Sequence, residues 1–254
     1  MKRVLTAVAL VPPVVYVVLW APYWVLFAVV AIVAFLSYRE YSDIAAKLVP
    51  GSASPLGYAA GLLVLAWPGE TWLVFTLLAL LAMALAMRAP DLADALPRAA
   101  FLVTGVIYAF GCWKCALLLH AANPHWLMFA LLVNWAGDIG AYYVGKSLGK
   151  HRLAPRVSPA KSWEGSAGAV VAAVAIGGFY LLHFIPSIPV AQAIGLTIAT
   201  NVAGQIGDLA ESALKRGAGV KDSGTILPGH GGFLDRVDST LFALPLVYAY
   251  LRLV

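Results

Sequence analysis

The polar segment 212–238 has the types of side chain that phosphoryl-group chemistry requires. In chain order, it contains Ser212, Lys215, Arg216, Lys221, Asp222, His230, Gly231, Gly232, Asp235, Arg236 and Asp238. Glycines let a backbone approach a phosphate closely, and Lys and Arg neutralise phosphate oxygens. Carboxylates such as Asp235 and Asp238 are hard oxygen ligands that suit Mg²⁺. The segment lacks the Gly-Lys-Ser/Thr of a P-loop, so it indicates phosphoryl-group chemistry at a metal in another kind of site.

Two acidic residues lie upstream in apolar stretches, where an ionised group is costly. Asp138 lies within residues 126–144, about 9 Å from the end of that stretch at 1.5 Å per residue. Asp208 lies near the end of the apolar stretch 189–210. A charge inside the membrane costs about 2.5–3.5 kcal/mol on insertion scales, so both carboxylates are expected to face the helix bundle or a wet cavity. For Asp138, a structural hydrogen-bond network between helices is the alternative.

Helical periodicity places further polar residues beside Asp208. Steps of three and four put Gln205, Asp208, Ser212 and Lys215 on one helix face. A polar stripe of this kind also forms at a solvated helix end, which is the alternative. The apolar surroundings of Asp208 favour a functional interpretation.

Residues 158–165, directly before the next apolar stretch, are a second candidate for anion binding. Ser162 could cap the helix that follows, and free backbone amides with a nearby Lys161 make an anion site. The alternative is an ordinary basic loop beside the membrane with a helix cap.

The stretch from Ser212 to Asp238 resembles, at each fixed position, the signature of the phosphatidate cytidylyltransferases, or CDP-diacylglycerol synthases. The resemblance extends to Asp138 and to residues 158–165. At Ala160 the relatives often have a second Lys, so a phosphate role there would pass to Lys161. The resemblance implies an enzyme that transfers CMP from CTP to phosphatidic acid and releases pyrophosphate.

The resemblance also implies roles for individual residues. Asp208 and Asp235 resemble the ligands of a catalytic metal pair, with Mg²⁺ essential, K⁺ allowed as a second cation and Asp138 as a further candidate ligand. The expected catalytic residues are Asp208, Asp235, Lys215 and Arg236. The expected substrate-binding residues are Ser158, Lys161, Ser162, Glu164, Ser212, Arg216, Lys221, Asp222, His230, Gly231 and Gly232. The resemblance also implies a homodimer. For Asp238, the alternative to a metal contact is that it caps or braces the ninth span.

The composition requires a lipid environment. Of the 254 residues, 62% are hydrophobic and 11% are charged, and the mean hydropathy is +0.86. A soluble domain has about 25% charged residues, so we expect an integral membrane protein. With the family resemblance, the expected location is a bacterial inner membrane. The net charge of +5 fits basic loops facing anionic headgroups. Nucleic acid is not an expected partner, because no basic stripe with interleaved aromatic residues is present.

Apolar stretches near 20 residues predict an all-α, polytopic transmembrane bundle. Nine candidates lie at 4–20, 22–38, 57–68, 71–87, 99–120, 126–144, 167–185, 189–210 and 239–253. With the N-terminus in the cytoplasm, all of the 17 Lys and Arg except Lys114 and Arg252 fall in cytoplasmic segments. Pro12 and Pro13 should kink or break the first span. The spacing of Cys112 and Cys115 is explained by one helical turn.

The predicted organisation is an N-terminal transmembrane scaffold, 1–98, and a catalytic region, 99–254, with cytoplasmic loops 145–166 and 211–238. Three other functions remain open at this point. The first is a CTP-dependent enzyme acting on another lipid phosphate. The second is a cation-coupled transporter that uses Asp138 and Asp208, although the inverted repeats it would require are not visible. The third is a purely structural scaffold.

Overall fold

The computed structural model describes residues 2–69, 71–226 and 231–253, with side chains from residue 11 onward. The described residues are mainly helical, as predicted. The α-helices are α1 Lys2–Leu19, α2 Tyr23–Leu48, α3 Leu56–Ala66, α4 Trp72–Ala86, α5 Ala95–Val106, α6 Cys112–Ala122, α7 Pro124–Leu148, α8 Trp163–Ala173, α9 Phe179–Phe184, α10 Val190–Gly217 and α11 Asp238–Leu253. The π-helical turns Ile107–Gly111 and Val174–Gly178 join α5 to α6 and α8 to α9. Short 3₁₀ turns lie at Leu92–Asp94 and Leu234–Arg236.

Each predicted apolar stretch coincides with a helix or with two helices joined through a π turn. In the described part of the chain, four helical segments are long and apolar enough to cross a membrane: Tyr23–Leu48, Leu92–Ala122, Pro124–Leu148 and Trp163–Phe184. The helices Leu56–Ala66 and Trp72–Ala86 are apolar but shorter. Large apolar side chains on these elements, such as Trp24 and Phe179, are 72% and 70% exposed, as expected of surfaces that face lipid. The count of nine spans and the orientation stay predictions.

The two prolines of the first helix do not break it. Pro12 and Pro13 lie inside α1, which runs without interruption from Lys2 to Leu19. Each proline removes one backbone donor, which leaves a carbonyl one turn earlier without its helical partner. Membrane helices tolerate this where neighbouring groups satisfy the freed carbonyls. The expected break is therefore wrong, and the alternative, a kink at the prolines, stays a prediction.

The chain forms two compact units. The first contains Met1–Leu26, Cys115–Ala213 and Asp238–Val254; the second contains Phe27–Lys114 and Leu214–Val237. The predicted division at residue 98 is one of function and stays a prediction, whereas the structural units divide the chain elsewhere. In particular, most of the predicted loop 211–238 belongs to the same unit as α3, α4 and α5.

In the first unit, small residues let α7 and α8 pack closely. A Cβ at Gly140 would lie 2.5 Å from the carbonyl oxygen of Gly168, and one at Gly168 would lie 2.6 Å from Val144. Glycine removes these collisions and lets the backbones approach each other, as is common between membrane helices. The close contact fixes the position of α8 and of the strand that precedes it.

The predicted loop 145–166 contains a β-hairpin that the all-α prediction omitted. Strands β1, Arg152–Ala154, and β2, Ser158–Ser162, pair antiparallel, with Arg152 opposite Ser162 and Ala154 opposite Ser158. Strands this short lack a readable period of two. The other predicted loop, 211–238, starts later than expected because α10 continues to Gly217.

Candidate active site

A pocket of about 370 Å³, lined in part by polar side chains, lies in the first unit. It is formed by α7, α8 and α10 together with the hairpin and the start of α11. Its polar lining residues are Asn134, Asp138, Tyr142, Lys146, Lys161, Ser162, Ser166, Asn201, Gln205, Asp208 and Ser239. The volume lies in the range typical of small-molecule sites. Asp138 and Asp208, predicted separately from two apolar stretches, therefore line one cavity.

An ion pair between β2 and α10 lies in this pocket. The Nζ of Lys161 is 2.5 Å from Oδ2 of Asp208, and the two side chains are 25% and 35% exposed. The hydroxyl of Ser212 donates to Oδ1 of Asp208 at 3.4 Å. The hairpin thus places Lys161 over α10, beside an aspartate 47 positions away in the sequence. Two residues predicted for different roles, phosphate binding and metal binding, are brought together.

Negative charge is concentrated at the junction of α10 and α11. Asp238 is 7% exposed, and the carboxylates of Asp208, Glu211 and Asp138 all act electrostatically on it. Asp238 begins α11, and its Oδ1 accepts hydrogen bonds from the Ser239 backbone N–H at 2.6 Å and hydroxyl at 3.4 Å. Glu211 and Asp238 are buried, whereas Asp208 is 35% exposed and Asp138 is exposed. Like charges this close to one another favour a neutralising cation. The cluster accounts for why a charge-neutralising lysine lies beside Asp208.

The donor chemistry of this region fits Mg²⁺. Asp208 and Asp138 offer carboxylate oxygens, and Mg²⁺ is commonly held by one or two carboxylates together with substrate phosphates and waters. Among the described residues, no group of three or more His, Cys, Asp or Glu is arranged to hold a metal ion by itself. Binding of Mg²⁺ by Asp208 and Asp138 stays a prediction.

A hydrogen-bonded chain of amides crosses the same pocket. The hydroxyl of Ser166 donates to Oε1 of Gln205 at 2.5 Å, and Nε2 of Gln205 donates to Oδ1 of Asn201 at 2.8 Å. Asn134, 4% exposed, donates to the Ala130 carbonyl at 3.0 Å. Asn201 and Ser166 were missed by the sequence analysis. The spacing of four between Asn201 and Gln205, inside an apolar stretch, was the available signal.

The segment before α8 has structural partners for two predicted binding residues. Ser162 caps α8, as expected: its Oγ accepts from the Gly165 N–H at 3.1 Å. Glu164 accepts from the backbone N–H groups of Lys150 and His151 at 3.1 and 3.2 Å, and its Oε1 lies 2.6 Å from Nδ1 of His151. Glu164 therefore anchors the chain that enters the hairpin, and substrate contacts for Ser158, Ser162 and Glu164 stay predictions.

The second unit contains Asp235, in residues 222–226 and 231–236, here called the Asp235 loop. Lys215 of α10 donates to Oδ1 of Asp235 in a pair that is nearly dry, with side chains 10% and 8% exposed. The N–H groups of Ser223 and Gly232 donate to Oδ2 at 3.0 and 2.8 Å. Burial alone would raise the pKa of Asp235, but Lys215 and these two N–H groups lower it below the usual value. Asp235 is therefore a carboxylate held ionised in a low-water environment.

Glycine is required beside Asp235. Gly231 has a φ of +80°, which side-chain-bearing residues rarely adopt, and a Cβ there would lie 2.8 Å from Oδ2 of Asp235. The predicted role of Gly231 and Gly232 in shaping the loop agrees with this geometry. Their contact with substrate stays a prediction.

Glu40, which the sequence did not identify as a site residue, accepts hydrogen bonds from the Asp235 loop. Glu40 of α2 is 1% exposed and accepts hydrogen bonds from Ser223, Phe233 and Leu234. The first third of the chain has no motif that is recognisable from the sequence alone. A single glutamate next to Arg39 at the end of an apolar stretch has no spacing that would have identified it.

The remaining predicted residues have varied surroundings. Nη1 of Arg216 donates to the carbonyl of Val220 at 3.4 Å. Lys221, Asp222 and Arg236 are exposed. His230 lies outside the described residues. Asp208 and Asp235 belong to different compact units, so their sharing of a metal stays a prediction.

Comparison with known proteins gives a family match over the whole chain and curated relatives over part of it. A sequence model described as the Cytidylyltransferase family matches residues 1–254. A phosphatidate cytidylyltransferase of Bacillus subtilis (strain 168) is 44% identical over 156 residues, which is 60% of this chain and 58% of that protein. A phosphatidate cytidylyltransferase of Staphylococcus aureus (strain COL) is 46% identical over 124 residues, 48% of this chain and 47% of that protein. The chain spans about half the length of the curated relatives it matches.

Proposed function

This chain belongs to the cytidylyltransferase family, and we propose that it transfers CMP from CTP to phosphatidic acid, producing CDP-diacylglycerol and pyrophosphate. The observation that carries the proposal is the Lys161–Asp208 ion pair inside a pocket formed among apolar helices. At such a position, the Lys161 ammonium can bind a phosphate and the Asp208 carboxylate can hold a metal ion. The printed name of the bacterial relatives supports the same reaction.

The reaction needs charge stabilisation more than proton transfer. An oxygen of the phosphatidic acid phosphate, already anionic, attacks the α-phosphorus of CTP. The new P–O bond forms while the bond from the α-phosphorus to the bridging oxygen breaks, and the electron pair leaves with pyrophosphate. The main barrier is the approach of two polyanions, which fixed cations lower by neutralising charge on the phosphoryl oxygens.

The basic residues would bind the phosphates. Lys161 and Lys215 each face an aspartate, so each is positioned to contact a phosphate while its charge remains balanced. Arg216 and Arg236 would add bidentate contacts to CTP or to the lipid phosphate. Mg²⁺ held by Asp208 and Asp235, with Asp138 nearby and K⁺ as a possible second cation, would supply the remaining neutralisation when bound.

The substrates favour a site at the cytoplasmic face. CTP is a cytosolic polyanion, and the headgroup of phosphatidic acid lies at the membrane interface. We place the protein in a bacterial inner membrane with nine spans, a cytoplasmic N-terminus and a homodimeric assembly. The distribution of Lys and Arg supports this orientation, and the acyl chains would remain in the bilayer.

The direct test is an assay of the purified full chain in detergent with radiolabelled CTP. We expect the label in CDP-diacylglycerol when phosphatidic acid and Mg²⁺ are present, loss of product with EDTA, and recovery when Mg²⁺ is added in excess. Other lipid phosphates are offered in parallel. Product from one of these but not from phosphatidic acid would overturn the substrate assignment, and no labelled lipid at all would overturn the reaction.

Removing the pocket lysine should weaken CTP binding. Lys161→Ala deletes one charge-assisted contact, worth about 1.5–3 kcal/mol, so we expect the KM for CTP to rise roughly tenfold to hundredfold. Lys150→Ala is the matched control, because Lys150 lies in the same segment and uses its backbone N–H, not its ammonium, to contact Glu164. Steady-state kinetics with varied CTP measure both. An unchanged KM in Lys161→Ala would favour the ordinary basic loop.

A further inference from the structure

The buried carboxylate of Glu40 accepts hydrogen bonds from three donors. Its Oε2 accepts from the Ser223 hydroxyl at 2.6 Å and from the Leu234 N–H at 2.8 Å, and its Oε1 accepts from the Phe233 N–H at 2.8 Å. All four residues belong to the second compact unit. A carboxylate that is 1% exposed is tolerated only where such donors replace water. Glu40 is thus a fixed acceptor around which the Asp235 loop is arranged.

The loop leaves space for this carboxylate. A Cβ at Gly224 or Gly232 would collide with Glu40. The chain therefore approaches Glu40 from both sides with residues that lack side chains. Ser223, 7% exposed, directly precedes Gly224 and donates its hydroxyl to Glu40. This close fit indicates a binding position specific to the Glu40 side chain, and not a general polar surface.

The hydrogen bonds around Glu40 continue through Ser223 to Asp235. The Ser223 hydroxyl, which donates to Glu40, accepts from the Asp235 N–H at 3.3 Å, and the Ser223 N–H donates to Oδ2 of Asp235 at 3.0 Å. Leu234, whose N–H is bound by Glu40, precedes Asp235 in the chain. Glu40 therefore determines the backbone position on both sides of the Asp235 carboxylate without touching it.

We infer that Glu40 is a positioning residue for CMP transfer, which acts through Ser223 and Leu234 to hold the Asp235 carboxylate in its reactive position. This inference rests on the proposed function. It assigns a role in the reaction to α2, which the sequence analysis treated as scaffold. Displacement of a reacting group by about 1 Å can cost roughly a hundredfold in rate, so the effect should be measurable.

The decisive variant is Glu40→Gln. Glutamine retains the size of the side chain but offers one acceptor oxygen and an NH₂ donor where three donors converge. We expect kcat to fall by about tenfold to hundredfold, as for groups that orient metal ligands, with the KM for CTP much less affected. We also expect faster hydrogen exchange at the Phe233 and Leu234 amides, measured by mass spectrometry on the full chain in detergent.

Two further variants separate positioning from general stability. Asp43→Asn, an exposed acid on the same helix, should leave kcat and exchange unchanged. Glu40→Asp retains two acceptor oxygens on a shorter side chain and should recover part of kcat. If Glu40→Gln lowers only the melting temperature, with wild-type kcat well below that temperature, the positioning role is wrong.

The wild-type protein distinguishes this inference from the proposed function. If wild type transfers CMP and Glu40→Gln does so at the same rate, only the positioning role fails. If wild type makes no CDP-diacylglycerol, the proposed function fails, and faster exchange at Phe233 and Leu234 then reports a structural role only. A combined Glu40→Gln and Ser223→Ala variant should lose less than the product of the single losses, because both act on one loop; fully multiplicative losses would contradict the shared route.

Discussion

Asp208→Asn is expected to lower CMP transfer at least about a thousandfold, equivalent to ~4 kcal/mol of transition-state stabilisation. Asparagine retains the shape of the side chain and an acceptor for Lys161, but removes the negative charge. The site would then lose the charged group that holds a cation and the negative charge that neutralises the Lys161 ammonium. Initial rates with saturating CTP and phosphatidic acid measure the loss.

Stability should respond much less than activity to this change. The Lys161 and Asp208 side chains are 25% and 35% exposed, and ion pairs in contact with water are worth about 0–1 kcal/mol. The control is Asp94→Asn, which breaks a partly exposed pair with Arg98 at 3.8 Å and should retain full activity. Wild-type turnover in a folded Asp208→Asn protein would remove Asp208 from the reaction.

Asp235→Asn is expected to abolish transfer and also to destabilise the protein. Its pair with Lys215 is nearly dry, with side chains 10% and 8% exposed. Removing one partner of a buried pair typically costs about 3–5 kcal/mol, because the other charge stays buried. Thermal unfolding in detergent, monitored beside the transfer assay, should show both losses. A variant with a wild-type melting temperature would contradict the buried-pair interpretation.

A second substitution separates the two effects. Lys215→Met added to Asp235→Asn removes the buried cation as well, and replacing both members of a buried pair is often close to neutral for stability. We expect the melting temperature to recover while transfer stays absent. Recovery of transfer would show that neither residue takes part in the reaction.

The stability contribution of Asp235 should depend on pH in a defined direction. The pKa of Asp235 is lowered in the folded state, below the unfolded value of about 3.9. The contribution is then fully present above pH of about 4 and is lost as the pH falls through the folded pKa. The gap in melting temperature between wild type and Asp235→Asn should therefore be constant from pH 7 to about 5 and narrow below about 4.

Local chemistry accounts for the parts of the site that were predictable. Ser162 was expected to cap a helix because a serine before an apolar run satisfies free N–H groups, and it does so. Asp138 and Asp208 were identified because a charge in an apolar stretch requires polar surroundings, and both line the pocket. Each prediction depended only on neighbours within about one helical turn.

Contacts between distant segments were not predictable in this way. Lys161 and Asp208 form a pair because a short hairpin lies over α10, and no period in residues 152–162 indicated the hairpin. Lys114, one of the two basic residues that did not fit a cytoplasmic segment, donates to the carbonyls of Leu65 and Trp67 at 2.8 Å each. Lys161 and Lys114 therefore contact oxygens that lie 47 or more positions away in the sequence.

The sequence by itself determined the lipid environment, the positions of the helices and the chemical type of the site, because hydropathy and side-chain charge are local properties. Only the tertiary structure decided which lysine faces which aspartate, and that Glu40 supports Asp235 from 195 positions away. A buried carboxylate accepts hydrogen bonds from whichever donors the packed chain places within about 3 Å. That choice depends on how helices and loops pack, and the spacing of residues along the chain does not encode it in readable form.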